Sequence, residues 1–217
     1  MENFEHLYPI IQFSPAHSDT IAFTLDTIDA YERKIGVNRL NLRPSYQRGE
    51  AWKTEYKEKL IYSLITNYPI GNFIVRKLEI TNQATAEVVD GQQRLLTIRE
   101  FVQNGMELSS VLSKTIISEK EEFYKYDEEQ GLNPSGVKIY KKFLSNPNLS
   151  VKLKFDLLPS LIQTQILNYN LSIIDIQRSS DEAVAQYFRF IQNQERLRAG
   201  EIINAIPNSP VSVYLDK

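Results

Sequence analysis

The chain contains no cysteine. Disulfides, thiolate catalysis and cysteine-ligated zinc are excluded at the outset. Histidine is almost as scarce, with His6 and His17 the two in 217 residues, both near the N-terminus. A His-Asn-His nuclease centre needs histidine as general base and metal ligand, and serine–histidine catalysis needs it as base. No paired Asp/Glu-x-Lys arrangement stands out, and no dedicated metal site is expected. DNA cleavage by these residues alone is therefore not expected. No apolar run approaches the roughly 18 residues of a membrane-spanning helix. The start, Met1-Glu2-Asn3-Phe4-Glu5-His6, lacks the basic region of a signal peptide. A soluble, cytoplasmic protein is the expectation. Internal repeats, low-complexity tracts and Gly/Ser linkers are also missing.

What is present is a globular composition, 42 % apolar, with material for a core. The net charge of −2 hides an uneven distribution. From Arg39 to Lys77 there are eight basic residues (Arg39, Arg43, Arg48, Lys53, Lys57, Lys59, Arg76, Lys77) against three glutamates. Between Glu119 and Glu129 six acids face two lysines. The basic half suits nucleotide phosphates or nucleic acid. Lys53, Lys57 and Lys59 equally suit the solvated face of a helix.

The most informative stretch is Glu87-Val88-Val89-Asp90-Gly91-Gln92-Gln93-Arg94-Leu95-Leu96-Thr97-Ile98. A β-type run ends in Asp-Gly and a helical pattern begins at once. Asp-Gly can also make a two-residue hairpin. Leu95, Ile98, Phe101 and Val102, however, recur at helical spacing, and Asn104-Gly105 supplies a stop. A strand–turn–helix of this kind points unpaired amides, the helix dipole and one arginine at a single spot, where an anion such as phosphate is favoured.

Along the chain, residues 1–19 read as an irregular arm. A short helix is predicted over Leu25–Lys34 and a strand over Arg39–Leu42. Trp52, Tyr56, Leu60, Leu64 and Ile65 mark one face of a helix that Asn67-Tyr68-Pro69 ends. Strands follow at Asn72–Ile80 and Glu87–Asp90, then a helix at Gln92–Asn104. Residues 107–150 are polar, with one helix near Gly136–Leu144, and read as an insertion or lid. Strand Lys152–Phe155, helix Ser160–Tyr169, strand Leu171–Gln177 and helices near Asp181–Asn193 and Ala199–Ile206 complete the pattern. The chain stops soon after Pro210 without an obvious closing element, as a fragment of something longer would. The fold class is α+β, a small mixed sheet flanked by helices with a helical C-terminal part.

Two further groups carry polar chemistry. Pro44-Ser45-Tyr46-Gln47-Arg48 stiffens a loop that offers an aromatic ring, an amide and a guanidinium. Arginine can grip phosphate oxygens in bidentate fashion, while tyrosine and glutamine can read a base or sugar; Tyr46 and Trp52 can equally be core anchors and Arg48 a surface ion pair. Late in the chain, Gln192, Asn193, Glu201 and Asn204 fall at a junction between helices. There they can cap helix ends or help to hold a ligand.

Three blocks, Tyr46-Gln47-Arg48 with Trp52, Asp90-Gly91-Gln92-Gln93-Arg94-Leu95-Leu96-Thr97-Ile98, and Gln192-Asn193 through Leu197, Ala199-Gly200-Glu201 and Asn204-Ala205, occur in that order, with Tyr68-Pro69-Ile70 between the first two. Together they resemble the N-terminal domain of GmrSD-type modification-dependent restriction systems, also known as domain of unknown function 262. The resemblance runs from about Thr20 to the end of the chain. It implies a ParB/sulfiredoxin-like fold over 20–217 and a role in restriction or antiphage defence, gating a nuclease located in another domain or subunit. It also implies a nucleoside triphosphate with Mg²⁺ as ligand, and hydrolysis as the activity. Asp90, Gly91, Gln92, Gln93 and Arg94 would then form the nucleotide site, with Tyr46, Gln47 and Arg48 as its other wall. Asp90 would position water or hold Mg²⁺ through water, Gln93 would orient the attacking water, and Arg94 would neutralise charge. Asn193, Glu201 and Asn204 would support the site from behind; where the family has an arginine in that block, this chain has Phe190. The alternative reading is a non-catalytic module that binds DNA or another protein.

Overall fold

In a computed structural model the structure describes residues 21–36, 39–42, 52–78 and 86–177. The arm at 1–19, the Tyr46–Arg48 loop and the helices read near 181–193 and 199–206 lie outside the described residues. The elements run β1 (Ile21–Thr27), α1 (Ile28–Gly36), β2 (Leu40–Asn41), α2 (Thr54–Ile65), β3 (Phe73–Lys77), β4 (Ala86–Asp90) and α3 (Gln92–Val102). They continue with α4 (Ser110–Glu119), α5 (Glu121–Gln130), α6 (Pro134–Ser145), a 3₁₀ turn at Phe155–Leu157, α7 (Ser160–Leu167) and β5 (Asn170–Gln177). The fold is α+β, as the sequence indicates.

The sheet is mixed, in the order β1-β5-β3-β4-β2. β5 pairs antiparallel with β1 (Thr27 opposite Asn170) and parallel with β3 (Phe73 opposite Ile173). β3 pairs antiparallel with β4, with a register shift between Ile74 and Val75, and β4 is parallel to β2. One end of the sheet therefore collects the start of β5, the start of β3 and the end of β4. Phe73, Val75, Val88, Leu171 and Ile173 join Leu60, Ile61 and Leu64 of α2 and Leu95, Ile98 and Phe101 of α3 in one buried core. Phe101 meets the Phe155 ring edge-on, with centroids 5.9 Å apart.

Local chemistry accounts for most boundaries. α3 ends where Asn104 takes a left-handed φ of 60° and Gly105 N–H reaches the Glu100 carbonyl at 2.8 Å, a helix stop that asparagine tolerates. The helix expected over Leu25–Lys34 is a correction. Its first residues belong to β1, and α1 starts only at Ile28, where the Thr27 hydroxyl accepts from Ala30 N–H at 3.2 Å. The strand expected at Lys152–Phe155 is a second correction. Val151, Leu153 and Phe155 do alternate inward, but Leu153 N–H finds the Ser113 hydroxyl and its carbonyl the Leu108 N–H, so no ladder forms. Tyr56 is a third. Leu60, Ile61, Leu64 and Ile65 make the buried stripe of α2, while Tyr56 remains 56 % exposed.

Residues 107–150 carry three helices rather than one, and Ile116, Ile117, Tyr124 and Tyr140 enter the core. Tyr124 and Tyr140 stack at 5.2 Å, and the Tyr124 hydroxyl donates to the Leu157 carbonyl at 3.0 Å. Buried Asp127 accepts from Ser160 N–H at 2.8 Å and so caps the start of α7, where Pro159 offers no side-chain cap. Asp127→Ala should cost about 1–2 kcal/mol. A lowered urea midpoint with the core helices still formed is the expected reading; an unchanged midpoint would show that the cap is idle.

Candidate functional site

The site grows from the end of β4. Val88 and Val89 are fully buried and drive that strand through the sheet to Asp90. Gly91 then turns the chain with φ 90°, a left-handed conformation that L side chains rarely adopt. A Cβ here would also lie 2.4 Å from Cδ1 of Phe73. Glycine is thus required twice over, by conformation and by close approach. Leu95 N–H closes the first helical bond to the Gly91 carbonyl at 3.0 Å, and no side chain caps the start of α3.

Three consecutive side chains then reach out in different directions. Gln92 donates from Nε2 to the Leu42 carbonyl, just past β2. Gln93 accepts at Oε1 from Trp52 N–H at 3.4 Å, just before α2. The chain leaves the described residues after Leu42 and returns at Trp52. The two glutamines therefore hold both flanks of the segment that carries Tyr46, Gln47 and Arg48. α2 also starts without a side-chain cap, at Lys53. Two helix N-termini lacking side-chain caps meet at the Trp52–Gln93 contact.

Arg94 is engaged by the protein itself. Nη1 donates to the Ile70 carbonyl at 2.7 Å, and Nη2 to the Asn72 carbonyl at 2.8 Å and the Asp90 carboxylate at 2.9 Å. The guanidinium lies over the Phe73 ring, 4.6 Å from its centroid, a favourable cation–π position. Its side chain is 17 % exposed. Burial pulls its pKa below the usual arginine value, and Asp90 opposes that shift. Gly71, at φ 79°, leaves room for the same group, since a Cβ there would lie 2.9 Å from Nη1. A cleft of about 370 Å³ runs alongside, lined by Pro69, Ile70, Asn72, Tyr169 and Asn170 among others.

The structure thus brings Asp90, Gly91, Gln92, Gln93 and Arg94 to one end of the sheet. Tyr46, Gln47 and Arg48, like Asn193, Glu201 and Asn204, lie outside the described residues. Sequence reasoning missed Gly71 and Phe73, which pack against Arg94; the Tyr68-Pro69-Ile70 turn before a strand was the available signal.

A family model described as the GmrSD restriction endonuclease, N-terminal domain, matches residues 28–206. The chain belongs to that family. Neither the curated proteins nor the solved structures contain a match to this GmrSD-type domain. It is a domain of a restriction system, consistent with a defence role and with a nuclease domain as partner. Among the described residues no helix is long and apolar enough to cross a membrane. Nor do three or more His, Asp or Glu side chains converge there as a metal site.

Proposed function

We propose that this GmrSD-type domain binds and hydrolyses a nucleoside triphosphate at the start of α3 and thereby gates a nuclease located elsewhere in the restriction system. One observation carries the reading: the two uncapped helix starts that meet where Gln93 touches Trp52. Each presents unpaired amides and a partial positive charge. Together they fit a polyphosphate better than either alone.

Within this reading the amides of Gly91–Gln93 hold phosphate oxygens. Arg94 already serves three protein acceptors, so it lends the field of its charge rather than a bidentate grip. Arg48 supplies the second charge, with Tyr46 and Gln47 beside it. Gln93 uses its oxygen on Trp52, which leaves its Nε2 to orient water. Asp90 is the carboxylate at the site; Mg²⁺ accompanying the nucleotide would be held by Asp90 through water and would neutralise phosphate charge.

The rival reading, a basic face that grips DNA, draws on charges several of which are already paired within the protein. Lys57 pairs with Glu100 at 2.6 Å, Lys59 with Glu55 at 2.7 Å, and buried Arg76 with Glu87 at 2.7 Å. Titration calorimetry of the chain with ATP, GTP and CTP in Mg²⁺ decides between them. Saturable binding to at least one nucleotide, weakened about tenfold or more (roughly 1.4 kcal/mol) in Asp90→Ala, is the expected result. Silence with all three, alongside DNA binding that falls steeply with salt, would put the DNA module first.

A further inference from the structure

Tyr56 is an exposed aromatic ring in an unusual place. It sits on the first turn of α2, one turn after Trp52, and its ring is 6.4 Å from the Trp52 ring at a 50° tilt. Side chains on a helix lean toward its N-terminus, which directs Tyr56 back over Trp52. Trp52 is half-buried against the core, and its backbone N–H donates to Gln93 Oε1 at 3.4 Å. The ammonium of Lys59 stands 5.8 Å from the Tyr56 centroid. Tyr56, 56 % exposed as a residue, is therefore linked to the helix start that would take phosphate by two contacts, its ring on Trp52 and the Trp52 backbone N–H on Gln93.

We propose that Tyr56, backed by Trp52, is the stacking platform for the nucleobase of the bound nucleotide. This rests on the phosphate reading of the α3 start given above. A flat base can cover the part of Tyr56 that Trp52 and Lys59 leave open, and stacking suits any base because each has a π-face. Gln93 links the two subsites: its backbone belongs to the phosphate end and its side chain accepts from the Trp52 backbone N–H. Tyr68 serves as an internal control. It is 64 % exposed and lies just past the opposite end of α2.

The test compares ATP with inorganic tripolyphosphate, both with Mg²⁺, on the full chain. Trp52 is the single tryptophan, so its emission reports the platform directly. ATP should bind more tightly than tripolyphosphate and quench Trp52, whereas tripolyphosphate should leave the emission nearly unchanged. Tyr56→Ala should weaken ATP about tenfold and leave tripolyphosphate affinity untouched, which also shows that the variant is folded. Tyr56→Phe should retain ATP affinity, and Tyr68→Ala should change neither ligand. Equal binding of ATP and tripolyphosphate, with Tyr56→Ala silent, would overturn the platform while the phosphate site stands. If neither ligand binds, the phosphate reading fails and the platform falls with it.

Discussion

Arg94→Ala should destabilise the domain by about 3 kcal/mol, whether or not any nucleotide is present. The guanidinium joins the β3 approach to the end of β4 through the Ile70 and Asn72 carbonyls and the Asp90 carboxylate. Removing it leaves a carboxylate and two carbonyls without that donor and uncovers one face of Phe73. Arg94→Lys keeps the charge, but an ammonium cannot serve the same three acceptors in one plane. About half the loss should therefore remain. Urea titrations of the three proteins give the comparison. A variant as stable as the parent, yet unable to bind nucleotide, would show instead that Arg94 acts on the ligand directly.

Gly91→Ala is the second large effect, at about 2–5 kcal/mol. The left-handed backbone alone costs an L-residue roughly 1–2 kcal/mol. The new methyl would also meet Cδ1 of Phe73 at 2.4 Å, and overpacking a well-filled site adds about 1–3 kcal/mol. The two parts can be separated. Phe73→Leu removes the ring that the methyl strikes, so in the double variant the steric part should shrink while the conformational part stays. A double-mutant cycle that shows no coupling would mean that the backbone turn, not Phe73, sets the whole cost.

The strand–turn–helix at Glu87–Val102 was legible because every signal for it is local: buried valines, an Asp-Gly turn and a helical apolar spacing. The work done by its side chains was not. Gln92 reaches Leu42, Gln93 reaches Trp52 and Arg94 reaches Ile70 and Asn72, partners between 22 and 50 residues away. Periodicity carries no record of such pairs. The same limit explains α5, where the buried residues of Glu121–Gln130 are Tyr124 and Asp127. One apolar and one acidic residue give no stripe to read. β1 was misread for a different reason: Leu25 lies in a strand yet is 71 % exposed, so it looked like the start of the helix that Thr27 actually caps. At Val151–Phe155 the alternation was real, but alternation tells which way side chains point, not whether the backbone finds a neighbouring strand.

The strand order has a consequence for biosynthesis. β5 is the last described strand to be made, yet it lies between β1 and β3. Until it emerges, β1 has no neighbour and the β3–β4 hairpin has one open side. Between Asp90 and Asn170 the ribosome must add about 80 residues, roughly 4–16 s of synthesis at about 5–20 residues per second. Throughout that interval the nascent chain presents unpaired strand edges, the kind that seed association between chains. A transcript that ends before Asn170 should therefore yield an aggregating product, even though most of the helices and the whole Asp90–Arg94 turn have already been translated.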